Sequence, residues 1–462
     1  MKTRIEKDSL GSLKIPAHAY YGVQTARAIQ NFPISGLRFH PVFVWATAAI
    51  KKAAAIANMK RGLNAKIGKA VVRASEEVMA GKWNAHFVVD ALQSGAGVSQ
   101  HMNTNEVIAN RAIEILGGRR GDYKKVHPND HVNMGQSTND VIPASLRVAA
   151  IKLLDDFYPA SKKLEKALQQ KTAQFKRVVK AGRTHMQDAA PVTLGQEFSG
   201  WAVSIRKNTE RVRLESKNLF DLGIGGSAVG TGLNTTVQYR NELVASLRKI
   251  TGFPFRSASN LFETMQSTAD FAGVSGALST LACALIQISN DLRLLSSGPN
   301  TGFAEILLPA RQPGSSIMPG KVNPVMLEVA AISAFQVIGN DTAIKLATQA
   351  GQLELNVMIP AVIHNLLQSI EILKNLMSVL ADFCVSGIKA DSKRCTAYAE
   401  ESYGIAAALN PYIGYAKGAE AVKESVRTGK TLREAVRGMK LLSEAQLNQI
   451  LSPKKLTEPK NK

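Results

Sequence analysis

Four long stretches limit what this chain can fold into: Val141–Phe175, Leu194–Leu222, Gln266–Leu295 and Val325–Asn375. In each, apolar residues recur at steps of three and four, the spacing that lines one face of an α-helix. Proline, which costs about 3 kcal/mol inside a helix, is almost absent from them. Every stretch exceeds the roughly 11–12 residues of an ordinary soluble helix. Several helices of about 30 residues joined by Gly-rich loops predict an elongated bundle, and association through such helices is expected. Aromatic residues make up only 6% of the chain, which suits helix packed on helix better than a β-sandwich. The expected fold class is all-α.

The long stretches are flanked by different material. Ala46–Met59 and Lys66–Met79 carry helical spacing, while 31–41 and 117–133 are rich in turn residues. From about Lys393 the pattern returns to short helices and turns, with a tail, Lys454–Lys462, expected to fray. The expected division is a mainly helical N-terminal domain over 1–138, a long-helix bundle over 139–393 and a small helical domain over 394–462.

No run of about 18 apolar residues free of charge is read as a membrane span. The opening MKTRIEKDSLGSLKIP lacks the apolar core of a secretory signal. The three cysteines, Cys283, Cys384 and Cys395, match no metal or redox spacing, so reduced structural thiols in a cytoplasm are expected. The formal charge is +21, from 57 Lys and Arg against 36 Asp and Glu. Such an excess is the first sign of a nucleic-acid binder. Here the basic residues are spread along the chain and no Cys/His finger or aromatic-basic RNA motif accompanies them. The charge therefore reads as a solubilising surface that also draws small anions, with no nucleic-acid partner.

Four loops beside the long stretches carry chemistry. Gly95–Glu106 has two glycines followed by amides and hydroxyls, and it admits a helix entry capped by Asn103 or Thr104. Gln136-Ser137-Thr138-Asn139-Asp140, with Pro143 beyond, reads as a helix start whose free amides and hydroxyls also suit an anion. In Gly182–Asp188, His185 lies beside Thr184 and Arg183 and off any apolar face, so structural and catalytic readings stand level. Thr193 and Gln196 just beyond have capping-box spacing.

The fourth loop, Gly314-Ser-Ser-Ile-Met-Pro-Gly-Lys-Val-Asn-Pro324, is the most specific. Glycines near both ends suit a segment that closes over a substrate. Helix capping accounts for Asn323 and Pro324 but leaves Ser315, Ser316 and Lys321 unexplained. A lysine between a glycine and a helix start is placed to hold a carboxylate.

Taken together, these loops resemble the aspartase/fumarase superfamily along nearly the whole chain: Gly314–Pro324 is similar to its signature loop, Gly182–Asp188 to its histidine loop and Gln136–Asp140 to its substrate-binding helix entry. Tyr20–Thr25, Asn290–Pro299, Gly351–Met358 and the Ser-Thr-Asn order at 137–139 resemble the aspartase branch; class II fumarases usually have Ser-Ser-Asn there. Thr184-His185 with Glu328, and Ile363-His-Asn365, lean toward the fumarases or are common to both.

The resemblance implies a three-domain all-α subunit and a homotetramer whose central helices form a 20-helix core, with each active site shared among three subunits. It implies elimination of ammonia from L-aspartate to give fumarate, with L-malate dehydration as the alternative, and needs no metal or organic cofactor. Ser315 would be the catalytic base, acting as an alkoxide. Ser316, Ser137 and Thr138 would hold the β-carboxylate. Lys321, Asn323 and Thr184 would hold the α-carboxylate, with Asn139 and the catalytic His185 facing the amino group and Glu328 orienting His185. One departure stands out: Val98 occupies a position where the family commonly has a substrate-binding threonine, and losing a donor to a charged group costs about 1.5–3 kcal/mol. Ser99 or His101, the latter replacing a more usual asparagine, is the expected substitute.

Overall fold

The computed structural model describes residues 2–458. A hairpin of β1 (Thr3–Asp8) and β2 (Gly11–Pro16) leads into helices α1 (Val23–Asn31), α2 (Pro41–Met59), α3 (Ala65–Met79) and α4 (Val98–Ile115). Then come α5 (Thr138–Gln174), a second hairpin of β3 (Val179–Thr184) and β4 (Gln187–Thr193), and α6 (Leu194–Glu215). Helices α7 (Val237–Thr251) and α8 (Leu261–Gln266) precede three more long ones, α9 (Ala269–Leu295), α10 (Val325–Gln349) and α11 (Ile359–Phe383). Shorter helices run from Ser392 to Thr457; of the tail expected to fray, Pro453–Thr457 is helical and 459–462 lie outside the described residues. The fold is all-α, as the apolar spacing predicts, with α5 reaching 37 residues.

Two boundaries differ from the sequence reading. The stretch from Val325 to Asn375 is two helices, because Asn356 caps both sides of a break. Its Nδ2 donates to the carbonyls of Ala347 and Thr348 at the end of α10, and its Oδ1 accepts from the Met358 amide at the start of α11. Leu346, Ala350, Leu353, Val357 and Ala361 keep steps of three and four through the break and hide it in the sequence. Helix α4 begins at Val98, not at Asn103 or Thr104. Gly95, Ala96 and Gly97 all take positive φ and turn the chain into the helix. Asn103 and Thr104 thus lie inside α4, where Asn103 bridges the Val88 amide and the His86 carbonyl while Thr104 donates to the Gln100 carbonyl.

The chain groups into two compact units. The first comprises residues up to Tyr158 with Glu210–Ala282 and Phe335–Leu373; the second comprises Pro159–Thr209, Cys283–Ala334 and the residues from Lys374 onward. In the first unit α2, α3 and α4 pack through Val44, Ala48, Ala55, Val71, Ala74, Ile108 and Ala112. The alanines permit close helix approach, and a polar group buried in such packing costs free energy unless it is paired. Buried Arg147 donates through Nη1 to the Asn218 carbonyl and through Nη2 to the Asp270 carboxylate, both at 2.8 Å. Asp90 accepts from the Ser35 amide and hydroxyl and from the amides of Gly36 and Leu92, fastening the segment ahead of Gly95. Burial raises its carboxyl, but these donors outweigh it and hold the group down at about 2.

In the second unit the β3–β4 hairpin rests on a buried ion network. Lys180 Nζ lies 2.9 Å from Glu197 Oε1 and 3.2 Å from Glu305 Oε2, and Arg183 Nη1 donates to Glu305 Oε1 at 2.9 Å. The Arg183 guanidinium also covers the Phe303 ring at 4.3 Å. A separate C-terminal core joins Ile405, Leu409, Leu432, Val436, Leu447 and Ile450.

Among the described residues, two helices, α2 and α9, are long and apolar enough to cross a membrane by length and composition alone. Most of that window in α2 is buried in the fold, and half of it in α9. The three cysteines are free, Cys283 exposed and the other two buried.

Glu305 serves two cations, so Glu305→Gln is expected to lower stability by about 3–5 kcal/mol, read as a lower urea midpoint. The depressed pKa of Asp90 contributes stability that is complete above about pH 4 and is lost as pH falls toward about 2. Over that interval the urea midpoint should fall more steeply in the unsubstituted protein than in Asp90→Asn.

Candidate active site

The loop between Leu307 and α10 is closed at its neck. The Gly314 amide donates to the Lys321 carbonyl at 2.7 Å, and Asn323 Nδ2 donates to the Gly314 carbonyl at 2.8 Å. The neck leaves no room for a side chain at 314, since a Cβ there would lie 2.7 Å from Lys321 O and 2.8 Å from Asn323 N. Asn323 is therefore the latch of the loop; its side chain does not cap α10 as its spacing suggests. Within the loop Ser315 Oγ accepts from two backbone amides, Ile317 N at 3.2 Å and Met318 N at 2.9 Å. Ser316 is exposed, and Ile317 is 83% exposed although it is aliphatic. Lys321, Asn323 and Glu328 line a cavity of about 820 Å³ together with Asn290, Arg293 and Ser297.

His185 sits at the tip of the β3–β4 hairpin, a strand pair that the sequence reading took as a plain loop between helices. His185 and Met186 both take positive φ, 56° and 60°, making a two-residue turn that presents the imidazole outward. Thr184 pairs with Gln187 across that turn. Thr193 and Gln196 form the reciprocal capping pair that their spacing predicts. Among the described residues, His185 and Glu328 share no hydrogen bond or ion pair.

In the first unit, Thr138 opens α5 and Ser137 Oγ accepts from the Asn139 amide at 3.2 Å. Buried Asp140 clips this helix start to a glycine-rich loop. Its Oδ1 accepts from the Ser137 amide at 2.9 Å, and its Oδ2 accepts from the Gly225 and Ser227 amides at 3.0 and 3.1 Å. Burial lifts its carboxyl to about 6 against the pull of those amides and of Lys51. The clipped loop presents the Ala228 carbonyl, to which Asn139 Nδ2 donates at 2.8 Å. With its amide nitrogen engaged there, Asn139 keeps its carbonyl oxygen as an acceptor for a ligand. Val98, 41% exposed, and buried Ser99 line a cavity of about 600 Å³ together with Arg27, Glu106 and His127.

Behind Thr138 lies a residue that the sequence reading missed, Lys51. It is fully buried in α2, with Nζ 2.6 Å from His101 Nε2, 2.8 Å from Asn133 Oδ1 and 2.9 Å from Gln136 Oε1. His101 Nδ1 in turn lies 2.7 Å from Thr138 Oγ1. Both ring nitrogens are thus occupied and the ring is buried, so His101 does not replace the donor missing at Val98. The available signal was a lysine in an otherwise apolar, alanine-rich helix, but the adjacent Lys52 made the pair look like a solvated edge.

The expected site residues therefore fall in both units: Ser99, Ser137, Thr138 and Asn139 in the first, and Thr184, His185, Ser315, Ser316, Lys321, Asn323 and Glu328 in the second.

The architecture and these loops have clear relatives. A lyase family model matches residues 11–339 and a fumarase C C-terminus model matches 405–458. An aspartate ammonia-lyase of Bacillus sp is 48% identical over 99% of this chain and 98% of its own. A mitochondrial fumarate hydratase of Rhizopus oryzae is 44% identical over 100% of this chain and 94% of its own. Among solved structures, a fumarate lyase:delta crystallin from Brucella melitensis bound to cobalt superposes with a TM-score of 0.96 at 45% identity, covering 99% of this chain and 100% of that one. A class II fumarase from Schistosoma mansoni superposes with a TM-score of 0.95 at 36% identity, covering 100% of both chains. The chain belongs to the aspartase/fumarase superfamily and is a lyase.

Because the loop neck excludes a Cβ, Gly314→Ala should open the Gly314–Lys321 closure. The expected result is faster proteolytic nicking between 315 and 322 and at least about tenfold lower turnover, with the thermal midpoint little changed.

Proposed function

We propose that this lyase is an aspartate ammonia-lyase, catalysing L-aspartate ⇌ fumarate + ammonia, with Ser315 as the base. The observation that carries the mechanism is the pair of backbone amides on Ser315 Oγ. A free serine hydroxyl is far too weak an acid to serve, but two amides aimed at its oxygen favour the alkoxide, as in an oxyanion hole. The alkoxide takes the β-proton, the C–H pair moves onto the β-carboxylate as an aci-carboxylate, and that pair then forms the double bond as the C–N bond breaks and ammonia leaves. Donors that bind the more charged intermediate better than the substrate lower the barrier. Ser137, Thr138 and Ser316 are assigned that role. Lys321, Asn323 and Thr184 are assigned to the α-carboxylate and His185 to the amino group, with Glu328 assigned to orient His185. Ser99 remains the candidate donor in place of a hydroxyl at Val98, and the reading assigns no metal or organic cofactor.

Two features favour ammonia as the leaving group. The Ser-Thr-Asn order at 137–139 is aspartase-like, and Asn139 offers its carbonyl oxygen, an acceptor suited to an ammonium. The identity to the Rhizopus oryzae hydratase across the whole chain keeps L-malate dehydration as the second reading.

A homotetramer with each site shared among three subunits accounts for the division of the site residues between two units. It is supported by the exposed apolar row Val329, Ile332, Phe335 and Leu346 on α10 and by the half-exposed α9. The three-domain division in chain order and a cytoplasmic location, favoured by the free cysteines, are part of the same reading.

Fumarate absorbance from L-aspartate and from L-malate, assayed side by side, tests the choice of substrate; turnover of malate with none of aspartate overturns it. Ser315→Ala should fold normally and lose roughly 10²- to 10⁴-fold in kcat, and full activity in that variant removes Ser315 as the base.

A further inference from the structure

The protons around Lys51 can be counted. Asn133 Nδ2 donates to the Gln136 carbonyl at 3.2 Å, and Gln136 Nε2 donates to the carbonyls of Val132 and Met134 at 3.1 and 3.3 Å. These bonds fix both amides with their oxygens facing Lys51 Nζ, which donates to each. When Lys51 carries its charge, its third hydrogen faces His101 Nε2, at 2.6 Å. An ammonium has no lone pair to offer, so Nε2 must be bare and the ring hydrogen must sit on Nδ1. Nδ1–H then donates to Thr138 Oγ1 at 2.7 Å, and the Thr138 hydroxyl must aim its own hydrogen away from His101.

We propose that His101 is a positioning residue of the substrate site: the buried charge of Lys51 selects its tautomer, and that tautomer makes Thr138 a donor toward the bound carboxylate. This rests on the reading that Thr138 touches substrate. If Lys51 loses its proton the chain reverses. Nζ then accepts from Nε2–H, Nδ1 accepts from the Thr138 hydroxyl, and lone pairs face the carboxylate. Burial pushes Lys51 well below its usual value, and Asp140 opposes that. Burial and the Lys51 charge together keep the His101 ring neutral. The titratable groups facing Lys51 are His101 on α4 and Asp140 on α5. On the other helices packed against α2, Glu76 of α3 pairs with Lys52, Glu242 of α7 pairs with Lys60 and Arg61, and Tyr239 of α7 donates to the Met134 carbonyl.

The test uses the full-length enzyme and two readouts, kcat/KM for elimination and the affinity for succinate, whose carboxylates stay ionised at neutral and alkaline pH. His101→Phe keeps a ring but removes both nitrogens, and it should lower both readouts by roughly 10- to 100-fold. Thr138→Val should do the same, and the double variant should be no worse than Thr138→Val alone, because His101 acts only through that hydroxyl. His101→Asn, which keeps one donor and one acceptor, should return both readouts to within about fivefold. Losses that multiply in the double variant overturn the relay, as does full activity in His101→Phe when Thr138→Val is impaired. If Thr138→Val leaves both readouts unchanged, the substrate contact itself fails and the relay with it. Should His101→Phe not fold, the alkaline loss of succinate affinity decides: it should be present in the unsubstituted enzyme and absent from Thr138→Val, and an equal loss in both overturns the proposal.

Discussion

A lysine amino group with no exposure, set in the middle of an alanine-rich helix, is the constraint around which the first unit is arranged. Taking a charged amino group out of water costs several kcal/mol unless each proton finds an acceptor. The three acceptors of Lys51 come from α4 and from the turn before α5, so satisfying this one group fixes where those elements meet. Asp140 contributes the balancing charge and at the same time ties the Gly225–Ser227 loop to the start of α5. The position of Ser137, Thr138 and Asn139 is therefore a consequence of buried electrostatics more than of local helix capping.

The second unit solves a similar problem with a different network. Glu305, without exposure, receives Lys180 and Arg183, and the hairpin that these cations hold presents Thr184 and His185 at its tip. A short hairpin is marginal by itself, and this one is kept in register by buried ions beneath it. The signature loop has no such anchor. It is held by its own neck, Gly314 to Lys321 and Asn323, and it leaves Ile317, Met318 and Val322 exposed. A hairpin held by buried ions and a self-closed, largely exposed loop suit a site in which a segment must move to admit substrate and then exclude water.

Much of this was legible in the residues. The apolar spacing located the long helices, because a period of three and four survives any packing arrangement that buries one helix face. The loop at 314–324 announced itself because helix capping could not account for two serines and a lysine. The break at Asn356 is hidden, since Leu346, Ala350, Leu353, Val357 and Ala361 carry steps of three and four across it. The β3–β4 hairpin was hidden because its turn, His185-Met186, lacks the glycine or asparagine that usually marks positive φ.

The sequence by itself determined the all-α class, the family and the identity of the candidate base, because these depend on local patterns and on one long motif. Only the tertiary structure decided what surrounds them. It joined Asn139 Nδ2 to the Ala228 carbonyl, made Arg183 a support for its hairpin through Glu305, and joined Lys51 to Thr138 through His101. Those pairings link residues on different elements, and the two at Glu305 and Lys51 match buried polar groups, a requirement that no stretch of sequence states alone.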